Sequence, residues 1–136
     1  LIAVKREHKE SRLNSMSLME DNILNGYSIV LYPEGGWRNE SNEHPYDIKP
    51  NEILNQFRNG AFRLAIGSKT NIIPISLCNA KKIHSSDTML FRPGKVIIYI
   101  HKEIDPKGFL MNEEGIKSLN QKCYSIIYKD LIKYDH

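Results

Sequence analysis

Cysteine is scarce in this chain: of 136 residues only Cys78 and Cys123 are thiols. They stand far apart and fit no CxxC or Cys/His ligand spacing, so neither a disulfide framework nor a zinc site is indicated. Two buried thiols in a reducing compartment are expected instead. Long apolar runs are missing too. No stretch approaches the roughly 18 apolar residues of a membrane-spanning helix, and no charged-then-apolar signal peptide opens the chain. Nor is charge of one sign in large excess, since 19 Lys and Arg against 16 Asp and Glu give a formal net charge of +3. That surplus suits anionic partners in general but is too small to point to nucleic acid.

Several signatures of phosphate and hydrolytic chemistry are also absent. "GSKT" at Gly67 to Thr70 lacks the glycine and spacing that precede a P-loop lysine, and no GxGxxG occurs, so a nucleotide-binding fold is not indicated. The histidines, His8, His44, His84, His101 and His136, form no HExxH pair, and no metal site is expected. His44 and Asp47 share a Pro-containing polar loop and read as a solvated pair. No serine lies in a GxSxG elbow, which excludes the common serine-hydrolase arrangement. No metal or organic cofactor is implied.

What the chain does contain is an alternation of apolar strands and amphipathic helices. "LIAV" at the start reads as the inside of a strand and not as a terminus, which suggests a fragment whose N-terminal part is missing. From His8 to Asn25 a helix is predicted, with Leu13, Met16, Met19, Ile23 and Leu24 on one face and Gly26 as its stop. "YSIVLY", Tyr27 to Tyr32, reads as a buried strand ended by Pro33. A polar loop follows. "PNEILNQFRNGAFRLAIGSKT" then suits one helix or two, broken near Gly60 and ending by Gly67. "NIIPISL" and "GKVIIYIHKEI" read as further strands. Ile116, Leu119, Cys123, Ile126, Ile127, Leu131 and Tyr134 recur at three-and-four spacing and predict a C-terminal helix. The whole indicates one α/β domain over residues 1–136.

The stretch "IVLYPEGGWR", Ile29 to Arg38, is the densest in chemistry. A strand ending in Pro-Glu-Gly-Gly places an acid and backbone N–H groups at the carboxyl edge of a sheet, where open α/β folds bind ligands. Gly35 and Gly36 permit positive φ and close approach of a substrate to the main chain, while Arg38 or Lys49 offers a cation to an anionic group. An ordinary turn after a strand is the alternative reading of the same residues.

These residues resemble the 1-acylglycerol-3-phosphate acyltransferases and their relatives. "YPEGGWR" is similar to that family's Phe-Pro-Glu-Gly signature, with Tyr32 in place of Phe. "FRNGAFRLA", Phe57 to Ala65, resembles its Phe-x-x-Gly-Ala-Phe-x-x-Ala helix, and "NIIPISL" its Ile-Pro-Ile strand. Upstream, "AVKREHKESR" resembles the second signature, with Arg6 on the signature arginine and Lys5 where the family more often has Asp. "PGKVIIYIHKEI" is similar to the strand before the family's closing helix. Two departures stand out. The family's His-x-x-x-x-Asp signature occurs nowhere in the 136 residues, and its arginine after Pro-Glu-Gly is displaced by one, Trp37 preceding Arg38.

The resemblance implies a mixed, mostly parallel sheet flanked by helices, of the glycerol-3-phosphate acyltransferase kind, with residues 1–136 as the C-terminal portion of the domain. It implies acyl transfer from acyl-CoA or acyl-carrier protein to the hydroxyl of lysophosphatidate, with the catalytic His and Asp upstream of Leu1. Arg6 would be the principal phosphate ligand, and Tyr32, Pro33, Gly35, Gly36 and Arg38 would line the acceptor site. Glu34 would order the turn or contact glycerol oxygens. Family members work at membrane surfaces, so the cytoplasmic face of a membrane is the expected location, peripheral or anchored by a missing N-terminal segment. An inactive lipid-binding module and an acyltransferase for a non-phosphate acceptor remain as alternatives.

Overall fold

The computed structural model of the chain describes residues 9–35, 53–83 and 92–134. These form α1 (Lys9–Leu24), α2 (Gly60–Ser68), β1 (Ile75–Cys78), a one-turn α3 (Ala80–Ile83), β2 (Ile97–Ile100), a 3-10 turn (Pro106–Gly108) and α4 (Glu113–Tyr134). Helices and strands are mixed, as expected of an α/β chain.

Most of the core is organised on α4. Its predicted apolar positions Ile116, Leu119, Cys123 and Leu131 are buried, the consequence of a stripe repeating with the helical period. Asn112 starts the helix by accepting the Gly115 N–H on its side-chain oxygen at 2.8 Å, and Glu113, Glu114 and Lys133 have the signs that suit the dipole at each end. Both cysteines are buried, and neither forms a disulfide. Burial pushes the Cys123 thiol up to about 11, opposed only by nearby Lys122, so it stays protonated and unreactive at neutral pH.

Against α4 packs α2, which also meets α1. Phe62, Leu64, Ala65 and Ile66 are all buried, more than a single stripe, as suits a short helix with neighbours on several sides. The helix starts at Gly60, where a break was predicted, and runs one residue past Gly67. Its stop is Lys69, at a left-handed φ of 54°, with the Lys69 and Thr70 N–H groups closing back on Ile66 and Ala65 carbonyls. At the end of α1 the predicted glycine stop is found: Gly26 has φ of 84°, and the Gly26 and Tyr27 N–H groups return to Ile23 and Asn22. The predicted apolar face of α1 is only partly used. Ser15 and Met19 are buried, whereas Leu13 and Leu24 are exposed.

The sheet differs from expectation. β1 and β2 pair antiparallel, Ile75 opposite Ile100 and Cys78 opposite Ile97, and an isolated bridge joins Ile72 to Ile104. Among the described residues the sheet has these two strands, so a mostly parallel sheet is not what they form. Tyr27 to Tyr32 joins no sheet there, and Tyr27, Val30 and Tyr32 are exposed. Its β-branched, apolar character favours a strand only when a neighbour supplies the ladder. Leu1 to Val4, the other strand predicted upstream, lies outside the described residues. Within the ribbon, alternation does hold: Ser76 and Cys78 point in, while Ile75, Leu77, Ile98 and Ile100 point out.

Candidate functional site

Pro33, Glu34 and Gly35 form a tight turn. The Gly35 N–H donates to the Tyr32 carbonyl at 3.1 Å, with proline at the second position, where its fixed φ is favourable. Gly35 has φ of 84°, a conformation that L side chains resist. The turn is tied to a second segment, residues 53–58, by two hydrogen bonds. Arg58 N–H donates to the Pro33 carbonyl at 2.8 Å, and Asn55 N–H donates to Glu34 Oε2 at 3.0 Å. Of the two roles predicted for Glu34, ordering the turn is the one this bond performs. A hydrogen bond to a charged group contributes about 1.5–3 kcal/mol.

That second segment is itself anchored by α4. Leu54 and Phe57 are buried, and the Phe57 ring meets Tyr124 edge-on at 5.1 Å between centroids. Tyr124 Oη donates to the Leu54 carbonyl at 3.2 Å. Asn120 Nδ2 donates to the Phe57 carbonyl at 3.0 Å and to Asn59 Oδ1 at 2.9 Å. The C-terminal helix thus fixes residues 53–59, and these fix the turn. Asn55, Arg58, Asn120 and Tyr124 were not singled out from the sequence. The only hint was that Arg58 lies inside the Phe57 to Ala65 block.

At Gly35 the predicted close approach is made by the protein itself. A side chain built on this glycine would run into the Arg58 guanidinium, with Cζ at 2.7 Å and Cδ at 2.8 Å. The turn therefore favours glycine for its φ, and a larger residue would in addition push the end of the Arg58 side chain aside. Tyr32, in contrast, is 80% exposed. Arg6, Gly36, Arg38 and Lys49 lie outside the described residues, as do His44 and Asp47.

A second polar group lies between the ribbon and α4. Ser76 Oγ is 2.8 Å from His101 Nε2, and Asp130 Oδ2 is 3.0 Å from the same nitrogen. Nucleophilic catalysis needs the two ring nitrogens divided, one for the hydroxyl and the other for the orienting acid. Here a single nitrogen faces both, and Ser76 is 0% exposed. The set fastens α4 to the sheet. Beside it the Tyr99 and Tyr134 rings stack at 4.8 Å; Tyr99 is pushed up to about 12, chiefly by its hydrogen bond to Tyr134, and Tyr134 is lowered, chiefly by its hydrogen bond from Lys133. Strand alternation could have placed Ser76 and His101 inward, but nothing local indicated Asp130.

Among the described residues no cluster of three or more His, Cys, Asp or Glu could hold a metal ion, and no helix is long and apolar enough to cross a membrane. The profile of the Acyltransferase family matches residues 1–78, a span containing the turn, its partner segment and β1. A 1-acyl-sn-glycerol-3-phosphate acyltransferase of Chlamydomonas reinhardtii is 26% identical over 106 residues, or 77% of this chain and 29% of that protein. The chain thus matches less than a third of that relative's length. No solved structure matches it.

Proposed function

The chain belongs to the acyltransferase family, and from that premise we propose that it forms the acceptor-binding portion of an enzyme of phospholipid synthesis. The reaction moves a fatty acyl group from acyl-CoA or acyl-carrier protein to the free hydroxyl of lysophosphatidate. The hydroxyl oxygen bonds to the thioester carbonyl carbon, a base takes the hydroxyl proton, and the carbon–sulfur bond breaks to release the thiol. The base and its orienting acid are assigned to a His-x-x-x-x-Asp pattern that these 136 residues do not contain.

The observation that carries this reading is the tethered turn. Two hydrogen bonds to residues 55 and 58 hold Pro33 and Glu34 in a geometry that a flexible loop would not keep, and preorganisation of this kind is what binding a small headgroup requires. In the proposal Arg6 is the principal phosphate ligand, with Tyr32, Pro33, Glu34, Gly35, Gly36 and Arg38 completing the acceptor site. A place at the cytoplasmic face of a membrane belongs to the same proposal. The relative's name, which specifies a 1-acyl-sn-glycerol-3-phosphate acceptor, supports the choice of substrate.

The second reading is a lipid-binding module of the same fold without chemistry of its own, for which the tethered turn would serve equally. Titration of the chain with lysophosphatidate and with the matching uncharged monoacylglycerol tests what both readings share. The phosphate-bearing lipid is expected to bind at least about tenfold more tightly, the effect of one charge-assisted contact. Equal affinities would contradict a headgroup site. No acyl transfer is expected from the chain by itself, and turnover of acyl-CoA by it would place the base within these residues.

A further inference from the structure

The geometry points to Arg58 as a phosphate-binding residue of the acceptor site, an assignment that rests on the function proposed above. Three observations converge on it. The Arg58 main chain is fixed to the turn by its N–H bond to Pro33 O at 2.8 Å. Its guanidinium lies on Gly35, in the space a Cβ would fill. Among the described residues that guanidinium makes no ion pair or hydrogen bond.

Position and unspent capacity together distinguish Arg58 from an ordinary surface cation. Phe57, the residue before it, is buried against Tyr124, and Asn59, the residue after it, is held by Asn120. The side chain therefore projects from a fixed base. Glu34, the nearest acid in the turn, is engaged with the Asn55 N–H and forms no ion pair with Arg58. The planar guanidinium keeps its five donors, a fork whose shape suits two oxygens of one phosphate. Gly35 has no side chain to stand between that fork and a ligand over the turn. The displacement of Arg38 by one position from the family signature is then compensated by a cation from a different segment.

The test is calorimetric titration of the wild-type chain, Arg58→Ala and Arg58→Lys with hexanoyl lysophosphatidate kept below micelle-forming concentration. Inorganic phosphate and monohexanoylglycerol serve as the two partial ligands. Arg58→Ala is expected to weaken lysophosphatidate binding about tenfold or more without changing monohexanoylglycerol binding or the melting temperature, because the side chain is exposed and the backbone bond remains. Arg58→Lys keeps the charge but not the fork and falls between the two. Inorganic phosphate is expected to bind more weakly than the lipid and to lose affinity in parallel. Unchanged lysophosphatidate affinity in Arg58→Ala, in a wild type that prefers it to the uncharged lipid, would overturn this assignment alone. Inorganic phosphate binding as tightly as the lipid would overturn it in favour of a bare phosphate site. A wild type with no preference for the charged lipid would overturn the proposed function, and this assignment with it.

Discussion

Among the described residues two polar constellations differ in what they leave over. At Ser76, His101 and Asp130 the polar side chains turn to one another across the ribbon and α4, Ser76 hydrogen-bonded to His101 Nε2 and Asp130 Oδ2 at 3.0 Å from the same nitrogen without a hydrogen bond of its own, and the serine hydroxyl meets no solvent. At the Pro-Glu-Gly turn the main chain and Glu34 are engaged with residues 55 and 58, while the exposed Arg58 guanidinium has no ion pair among the described residues. Polar groups held against one another between a helix and a sheet serve the packing of a fold. A satisfied frame carrying an unsatisfied cation is suited to a ligand. By residue type alone the first set is the more suggestive of catalysis; its geometry makes it the structural one.

The comparison can be broken most severely at Phe57. This side chain belongs to the core and also carries the segment on which Arg58 stands, so Phe57→Ala should lower the unfolding free energy by about 3–5 kcal/mol and weaken lysophosphatidate binding as well. Chemical denaturation paired with titration would show it; full binding in the variant would mean that the turn does not depend on this anchor. Asp130→Ala makes the smaller and sharper separation. Loss of its contact with His101 should destabilise the protein by about 1–3 kcal/mol while leaving lysophosphatidate affinity within about twofold. A large loss of affinity at unchanged stability would exchange the roles given to the two constellations.

Much of the architecture that positions the turn was legible because it is local. Helical periodicity announced α4 and its buried face, and Gly26 announced the end of α1. The antiparallel pairing of β1 with β2 was not legible, since direction depends on where the chain returns and not on the composition of either strand. Tyr27 to Tyr32 misled for a related reason: its residue types favour a strand, but no described segment lies beside it to pair. The turn itself was readable from Pro33, Glu34 and Gly35. Its dependence on Asn55, Arg58, Asn120 and Tyr124 was not, because these contacts join segments far apart in the chain. Arg6, Gly36 and Arg38 lie outside the described residues, and their part in the site remains the one implied by resemblance.

The central claim is that the turn and its tethered arginine receive the acceptor's phosphate. Amide nitrogen–proton NMR spectra recorded as lysophosphatidate is added to the isotopically labelled chain test it most directly. The account predicts progressive shifts at Gly35 and Arg58, with Ser76, His101 and Asp130 unmoved. Shifts gathered around Ser76 and His101, with Gly35 and Arg58 still, would contradict it.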